Sequence, residues 1–133
     1  MDPSPTVQLR HELPDGTWHV DWMLDRDPLS RLITFRLPDR LDRLLKGAFF
    51  DAECIGQHRR EYLEYEGPVS NNRGTVTRVG QGEIVNWASD GDDWWITVIW
   101  DGGLRQVVRI IHPEVDSPST PFCRIYCEES SSS

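Results

Sequence analysis

Positive charge is scarce in this 133-residue chain: 14 Lys and Arg stand against 22 Asp and Glu, a formal net charge of −8. That excludes a charge-driven, sequence-blind grip on a nucleic-acid backbone, which needs a basic surface. It does not exclude an enzyme that touches one phosphate in a small pocket. Long apolar runs are missing too, and none approaches the roughly 20 residues of a membrane-spanning helix. The opening residues MDPSPTVQLR have neither the basic start nor the apolar stretch of a secretory leader, so the expectation is a cytoplasmic protein with no membrane partner. Three cysteines, Cys54, Cys123 and Cys127, are an odd number and argue against a disulfide framework. Cys123-x-x-x-Cys127 has no second pair to make a zinc knuckle and reads as packing. Gly74, Gly80 and Gly82 are followed by no Lys-Ser/Thr, so they make no phosphate loop. There is no nucleophile elbow and no internal repeat.

What is present is enough for one domain with a real core. Apolar residues are 38% of the chain, but six Trp, four Phe and three Tyr add large rings. Residues 1–6 are Pro-rich and read as a flexible N-terminus. Residues 7–112 read as the folded domain, and 113–133 as a Pro/Ser-rich C-terminal extension that Phe122, Ile125 and Tyr126 could dock. Between the ends, strands are expected at 7–13, 17–25, 32–37, 48–55, 74–79, 82–88, 94–100 and 104–111, with turns at Asn71-Asn72, Asp90-Gly91-Asp92 and Asp101-Gly102-Gly103. LDRLLKG (41–47) reads as a short helix ended by Gly47. Many short strands with regular turns predict a mainly β protein, a small closed or nearly closed β-barrel with one or two short helices.

The first hairpin gathers metal-type ligands. Pro14-Asp15-Gly16 suits a three-residue loop with a bulge: Pro presets its φ, and Gly takes the left-handed position. That loop sets Leu13 opposite Thr17 and His11 opposite His19. Asp21 lies two residues beyond His19 and shares its face. His11, His19 and Asp21 then converge, and two imidazoles with a carboxylate suit Zn²⁺, Mn²⁺ or Fe²⁺ while leaving positions open. A two-residue loop would bring Glu12 beside His19 instead. Val7 and Leu9, on the His11 face, are compatible with a barrel interior. The other reading is that these are ordinary polar strand residues.

GQHRREYLEYEG (56–67) places His58 and Tyr62 four residues apart, on one face if the segment is helical. One reading is a phosphate-binding or proton-donating His beside a Tyr hydroxyl; the other is a surface His and a packed Tyr. His112 reads as a strand-end residue, and Asp90–Asp93 as a solvated turn. Of the adjacent Trp94 and Trp95, one must face the core; the other covers a barrel end or offers a stacking platform for a base.

Taken in order, these segments resemble the 3′-phosphoesterase domain of bacterial DNA ligase D. The family's H-D-x-x-x-L-H-Y-D-F-R segment is similar to His11-Glu12 and Trp18-His19-Val20-Asp21-Trp22-Met23, with two more residues between the histidines. Its W-A-V-P-K segment is similar to Phe35-Arg36-Leu37-Pro38-Asp39, and its D-H-P-x-x-Y-x-x-F-E-G segment to Gln57-His58 through Tyr62 to Glu66-Gly67. Gly74-Thr75-Val76 and Val107-Val108-Arg109 complete the set, which covers about residues 7–112. The resemblance implies a small β-barrel binding Mn²⁺, or another divalent metal such as Zn²⁺, through His11, His19 and Asp21. It implies His58 and Tyr62 at the phosphate, removal of 3′-phosphates or 3′-ribonucleosides from DNA or RNA-DNA 3′ ends, and a role in end-joining repair. The metal would act as Lewis acid and water activator.

The chain departs from the family where phosphate is neutralised. Met23 stands for an Arg, Asp39 for a Lys and Cys54 for an Arg, while Gly56 replaces an acidic residue. Charge-assisted hydrogen bonds to phosphate are the strong ones, so their loss should slow catalysis. Arg10, Arg36, Arg59 or Arg60 could substitute. Two other readings stand beside the enzyme. One is a non-catalytic relative that serves as a binding or scaffold module. The other is a barrel binding a small molecule or protein, with incidental histidines and an apolar interior cavity. No protein partner is legible.

Overall fold

The computed structural model describes residues 2–26, 31–114, 119 and 121–132. Among the described residues, nine strands form one antiparallel sheet: β1 (Ser4–Glu12), β2 (Trp18–Leu24), β3 (Leu32–Leu37), β4 (Phe49–His58), β5 (Gly67–Pro68), β6 (Thr75–Asp90), β7 (Asp93–Trp100), β8 (Leu104–Ile111) and β9 (Phe122–Ser132). Their order is β1-β2-β3-β4-β9-β8-β7-β6-β5, and β1 also pairs with β6. Eight strands therefore close a ring, with the two-residue β5 hanging from the edge of β6. The barrel expected from the turn spacing is what the chain forms.

The ring is uneven because β6 belongs to two neighbours. Its first half pairs with β1 from Thr75 to Ile84, and its second half pairs with β7 from Gly82 to Asp90. The two strands expected at 74–79 and 82–88 are thus one continuous strand. The expected helix at 41–47 is only a 3-10 turn, Leu41–Arg43. Barrel side chains take its backbone groups: Gln8 Oε1 accepts from Leu41 N at 2.5 Å, and Gln106 Nε2 donates to the Leu41 carbonyl at 2.8 Å. With those groups already satisfied, nothing favours a further helical turn. A second 3-10 turn spans Arg60–Leu63.

Both ends are more ordered than the composition suggests. β1 starts at Ser4, which pairs with Ile84. Within the segment read as an extension, Phe122–Ser132 is a barrel strand held by β4 on one side and β8 on the other. Alternation explains it: Cys123, Ile125 and Cys127 point inward and are buried, while the residues between them are not. Pro118, another residue of that expected extension, lies outside the described residues.

The interior is filled by Trp22, Phe35, Ile84, Ile96, Ile110 and Ile125 among others, drawn from strands all round the ring. A second, smaller cluster of Val7, Leu9, Met23, Leu32 and Val76 packs under Tyr62, Leu63 and Val69. Strand parity puts this cluster on the outer face of β1–β3, because Val20, Trp22 and Leu24 of β2 point inward. The face bearing Val7, Leu9 and His11 is therefore not the barrel interior, as the sequence suggested. It is an outer face buried by the Arg60–Leu63 turn and the segment around Val69.

Candidate metal and anion site

The hairpin has the register its turn chemistry predicts. Leu13 N donates to the Thr17 carbonyl at 2.8 Å and Gly16 N to the Leu13 carbonyl at 2.9 Å. The Asp15 carboxylate accepts from Thr17 N at 2.9 Å and from the Thr17 hydroxyl at 2.6 Å, which holds that carboxyl below its usual range. His11 consequently faces His19. The rings meet edge to face with centroids 4.9 Å apart. Asp21 Oδ2 is 3.9 Å from His11 Nδ1, and Asp21 Oδ1 is 3.3 Å from His19 Nε2. One ligand atom from each of the three lies within 4.8 Å of the others.

The orientation of His11 is fixed from behind. Its Nε2 lies 2.5 Å from the Arg73 carbonyl oxygen, which can only accept, so Nε2 carries the proton. In the neutral ring this leaves the Nδ1 lone pair facing Asp21. Metal-bound histidines are commonly steered this way, by a carbonyl on the far nitrogen. The Arg73 carbonyl is delivered by a tight turn through Asn71 and Asn72, both at positive φ, closing at Gly74. Val69 N donates to the Gly74 carbonyl at 2.8 Å, and the Arg73 side chain bonds back to Ser70. Gly74 has φ +94°, and a Cβ there would overlap the Glu12 carbonyl oxygen. Only glycine lets this turn lie against β1.

A bulge brings His58 to the same face. The β3–β4 register slips between Ile33 and Phe35, so Cys54 lies opposite Phe35 and His58 opposite Leu32. Gly56, at φ +87°, supplies the backbone bend. Cys54 therefore points inward, 3.5 Å from the Cys123 sulfur, while His58 points outward. The Cys54 thiol is brought down to about 7, chiefly by its hydrogen bond with Cys123, against the burial that raises it. Tyr62 follows in the Arg60–Leu63 turn, and its ring meets His58 at 5.9 Å and 70°. The turn is tied down by Arg60, whose guanidinium makes two 2.6 Å bonds to buried Asp25. Tyr65 donates to the Pro68 carbonyl and stacks edge-on against Tyr62. Burial holds His58 below the usual imidazole value, opposed by Asp21 and reinforced by Arg36, Arg31 and His11. It is neutral at pH 7.

These side chains line one cavity of about 340 Å³, walled by His11, Asp21, Arg36, His58, Tyr62 and Arg73 with Leu13, Met23, Val69 and Val76. Its one carboxylate among the described residues is Asp21. Among the described residues, His19 Nε2, Asp21 Oδ1, Arg36 Nε and His58 Nδ1 are all buried without a hydrogen-bond partner. Buried polar atoms are normally satisfied, so the three orphans that meet at Asp21, with His19 Nε2 3.3 Å and Arg36 Nε 3.5 Å from Oδ1, ask for a ligand. A nitrogen–nitrogen–oxygen donor set with a steered imidazole fits a divalent transition metal.

The sequence singled out His11, His19, Asp21, His58 and Tyr62, and the fold brings all five to this face. Arg36 and the Arg73 carbonyl were not among those site residues. Pairing of β2 with β3 sets Arg36 directly opposite Asp21, but no turn motif fixed that register in advance. Two other cations that the sequence offered have contacts elsewhere: Arg10 lies 4.5 Å over the Trp18 ring, and Arg59 pairs with Glu61 at 3.0 Å. Met23 and Cys54 are buried in apolar clusters. No known family and no curated protein matches the chain. No helix among the described residues is long and apolar enough to cross a membrane.

Proposed function

We propose that the chain is a metal-dependent 3′-phosphoesterase-like protein that acts on nucleic-acid 3′ ends in DNA repair, removing a 3′-phosphate or a 3′-ribonucleoside. The observation that carries this reading is the His11–His19–Asp21 cluster, whose imidazole nitrogens lie 3.9 and 3.3 Å from the Asp21 carboxylate, with His19 Nε2 and Asp21 Oδ1 buried and without a hydrogen-bond partner. His11 Nδ1, His19 Nε2 and a carboxylate oxygen of Asp21 would hold Mn²⁺ or a similar ion. When bound, such an ion supplies Lewis-acid polarisation of phosphoryl oxygens. The Arg73 carbonyl keeps the His11 proton on Nε2 and so keeps Nδ1 available. His58 is neutral and carries one N–H, which suits it to donate to a non-bridging oxygen; the charge of a phosphate beside it would raise its affinity for a second proton. Tyr62 covers His58 and offers its hydroxyl to the same group. Val69 and Val76 keep the wall dry.

A non-catalytic binding module is the second reading. It is favoured by the net charge of −8 and by the apolar burial of Met23 and Cys54, where the family resemblance calls for cations. The two separate in one assay: DNA primers ending in a 3′-phosphate or a 3′-ribonucleotide, incubated with Mn²⁺ and either wild type or His58→Ala. The enzyme reading expects trimming by the wild type and a loss of about 100-fold or more in the variant. Binding of the primers with no trimming by either protein would favour the module.

A further inference from the structure

Arg36 is held in an unusual way for a half-buried arginine beside a carboxylate. Its Nε is 3.5 Å from Asp21 Oδ1 and makes no hydrogen bond there, although both atoms are buried. Elsewhere in the chain, Arg60 grips Asp25 through two 2.6 Å bonds. A guanidinium that served only to neutralise Asp21 would be expected to close in the same two-pronged way. Instead the Arg36 side chain stays 37% exposed and lines the cavity shared with His58 and Tyr62.

Resting on the function proposed above, we propose that Arg36 is the oxyanion-binding cation of this site. Its guanidinium fork takes the non-bridging oxygens of a phosphate monoester seated between the His11–His19–Asp21 cluster and His58. Three features support it. The β2–β3 register aims the side chain at the cluster from directly across Asp21. Arg59 and Arg60 are each paired with a carboxylate, and Arg10 lies over the Trp18 ring. The positions where the resemblance calls for cations cannot supply one, since Met23 and Cys54 are packed in apolar clusters. The planar fork also matches phosphate geometry better than a lysine would.

The proposal gives opposite signs for two ligands, which separates it from misfolding. Mn²⁺ and inorganic phosphate are titrated separately into wild type and Arg36→Gln by calorimetry, with the Arg36 Nε–H resonance followed in the phosphate series. Phosphate should weaken about tenfold in the variant, the loss of one charge-assisted contact. Mn²⁺ should bind equally well or several-fold more tightly, because a positive charge beside Asp21 is gone. Unchanged phosphate affinity overturns the proposal. So does a parallel loss of Mn²⁺, which would make Arg36 a structural prop for Asp21. Arg36-dependent phosphate binding by a wild type that takes no Mn²⁺ sustains the inference and rejects the metal reading. Should Arg36→Gln fail to fold, Arg36→Lys carries the test: loss of the fork should weaken phosphate several-fold, and full affinity overturns the proposal.

Discussion

The two faces of β2 are both buried, yet they are closed in different ways. Inward, Val20, Trp22 and Leu24 meet the apolar core, and the Trp22 Nε1–H is satisfied by the Thr6 hydroxyl at 2.8 Å. Outward, His19, Asp21 and Met23 lie beneath a short turn and a glycine-closed loop, and several of their neighbours' polar atoms have no partner among the described residues. The inner face is consistent with a structure-bearing wall, polar groups paired and rings packed. The outer face keeps its polar groups buried but uncommitted, which stability alone does not favour. Chemistry is therefore to be sought not in the filled barrel but on this covered outer patch.

The contrast breaks most sharply if an inner residue is cut. Trp22→Ala should lose about 3–5 kcal/mol of stability, read from urea unfolding, as expected for a large ring removed from a packed core. The outer counterpart is His19→Ala. It should weaken Mn²⁺ binding by about 100-fold or more while changing stability by less than about 1 kcal/mol, since Nε2 contributes no hydrogen bond to the fold. If His19→Ala proves as destabilising as Trp22→Ala, the two faces are not different in kind.

Gly74→Ala tests how the outer face is held. The added methyl collides with the Glu12 carbonyl and must push the Arg73 carbonyl off His11. A stability loss of about 1–3 kcal/mol is expected. Metal affinity should fall about tenfold, the usual scale for a lost partner behind a ligand. His11 should also lose its Nε2–H signature in nitrogen NMR.

The smallest effect is a pH dependence. Burial holds the folded His58 below its unfolded value of 6.5. Below that pH the unfolded chain takes up a proton that the folded chain refuses. This contribution to stability is therefore present above about pH 6.5 and is lost as pH falls through the folded pKa. His58→Gln should flatten the slope of stability between about pH 7.5 and pH 5. An unchanged slope would mean that other groups carry it.

How much of this was legible before folding depends on local chemistry. The His11–His19 pairing was readable because Pro14-Asp15-Gly16 dictates a loop length, and loop length dictates register. The span of β3 was readable from the bounding Pro38. The side on which the triad lies was not, because β1 and β2 carry apolar residues on both faces, so periodicity could not say which was inside. Nor was the meeting of Arg36 with Asp21, which depends on the β2–β3 register. His58 and Tyr62 would share a face only if their segment were helical; they meet instead because a bulge at Gly56 turns a strand end outward before a 3-10 turn. The joining of β6 through Gly80 and Gly82, and the strand Phe122–Ser132, were hidden by glycine, proline and serine content that reads locally as loop. Both are long-range pairings, which a local reading does not see.

The central claim is that the outer face of β1–β3 is a ligand site built on His11, His19 and Asp21. Its most direct test is the metal content of protein purified without added metal or chelator, followed by Mn²⁺ titration of wild type and His19→Ala. One ion per chain is expected in the wild type, and its loss in a variant that remains folded. No binding by the wild type at millimolar metal, or equal binding by the variant, would contradict it.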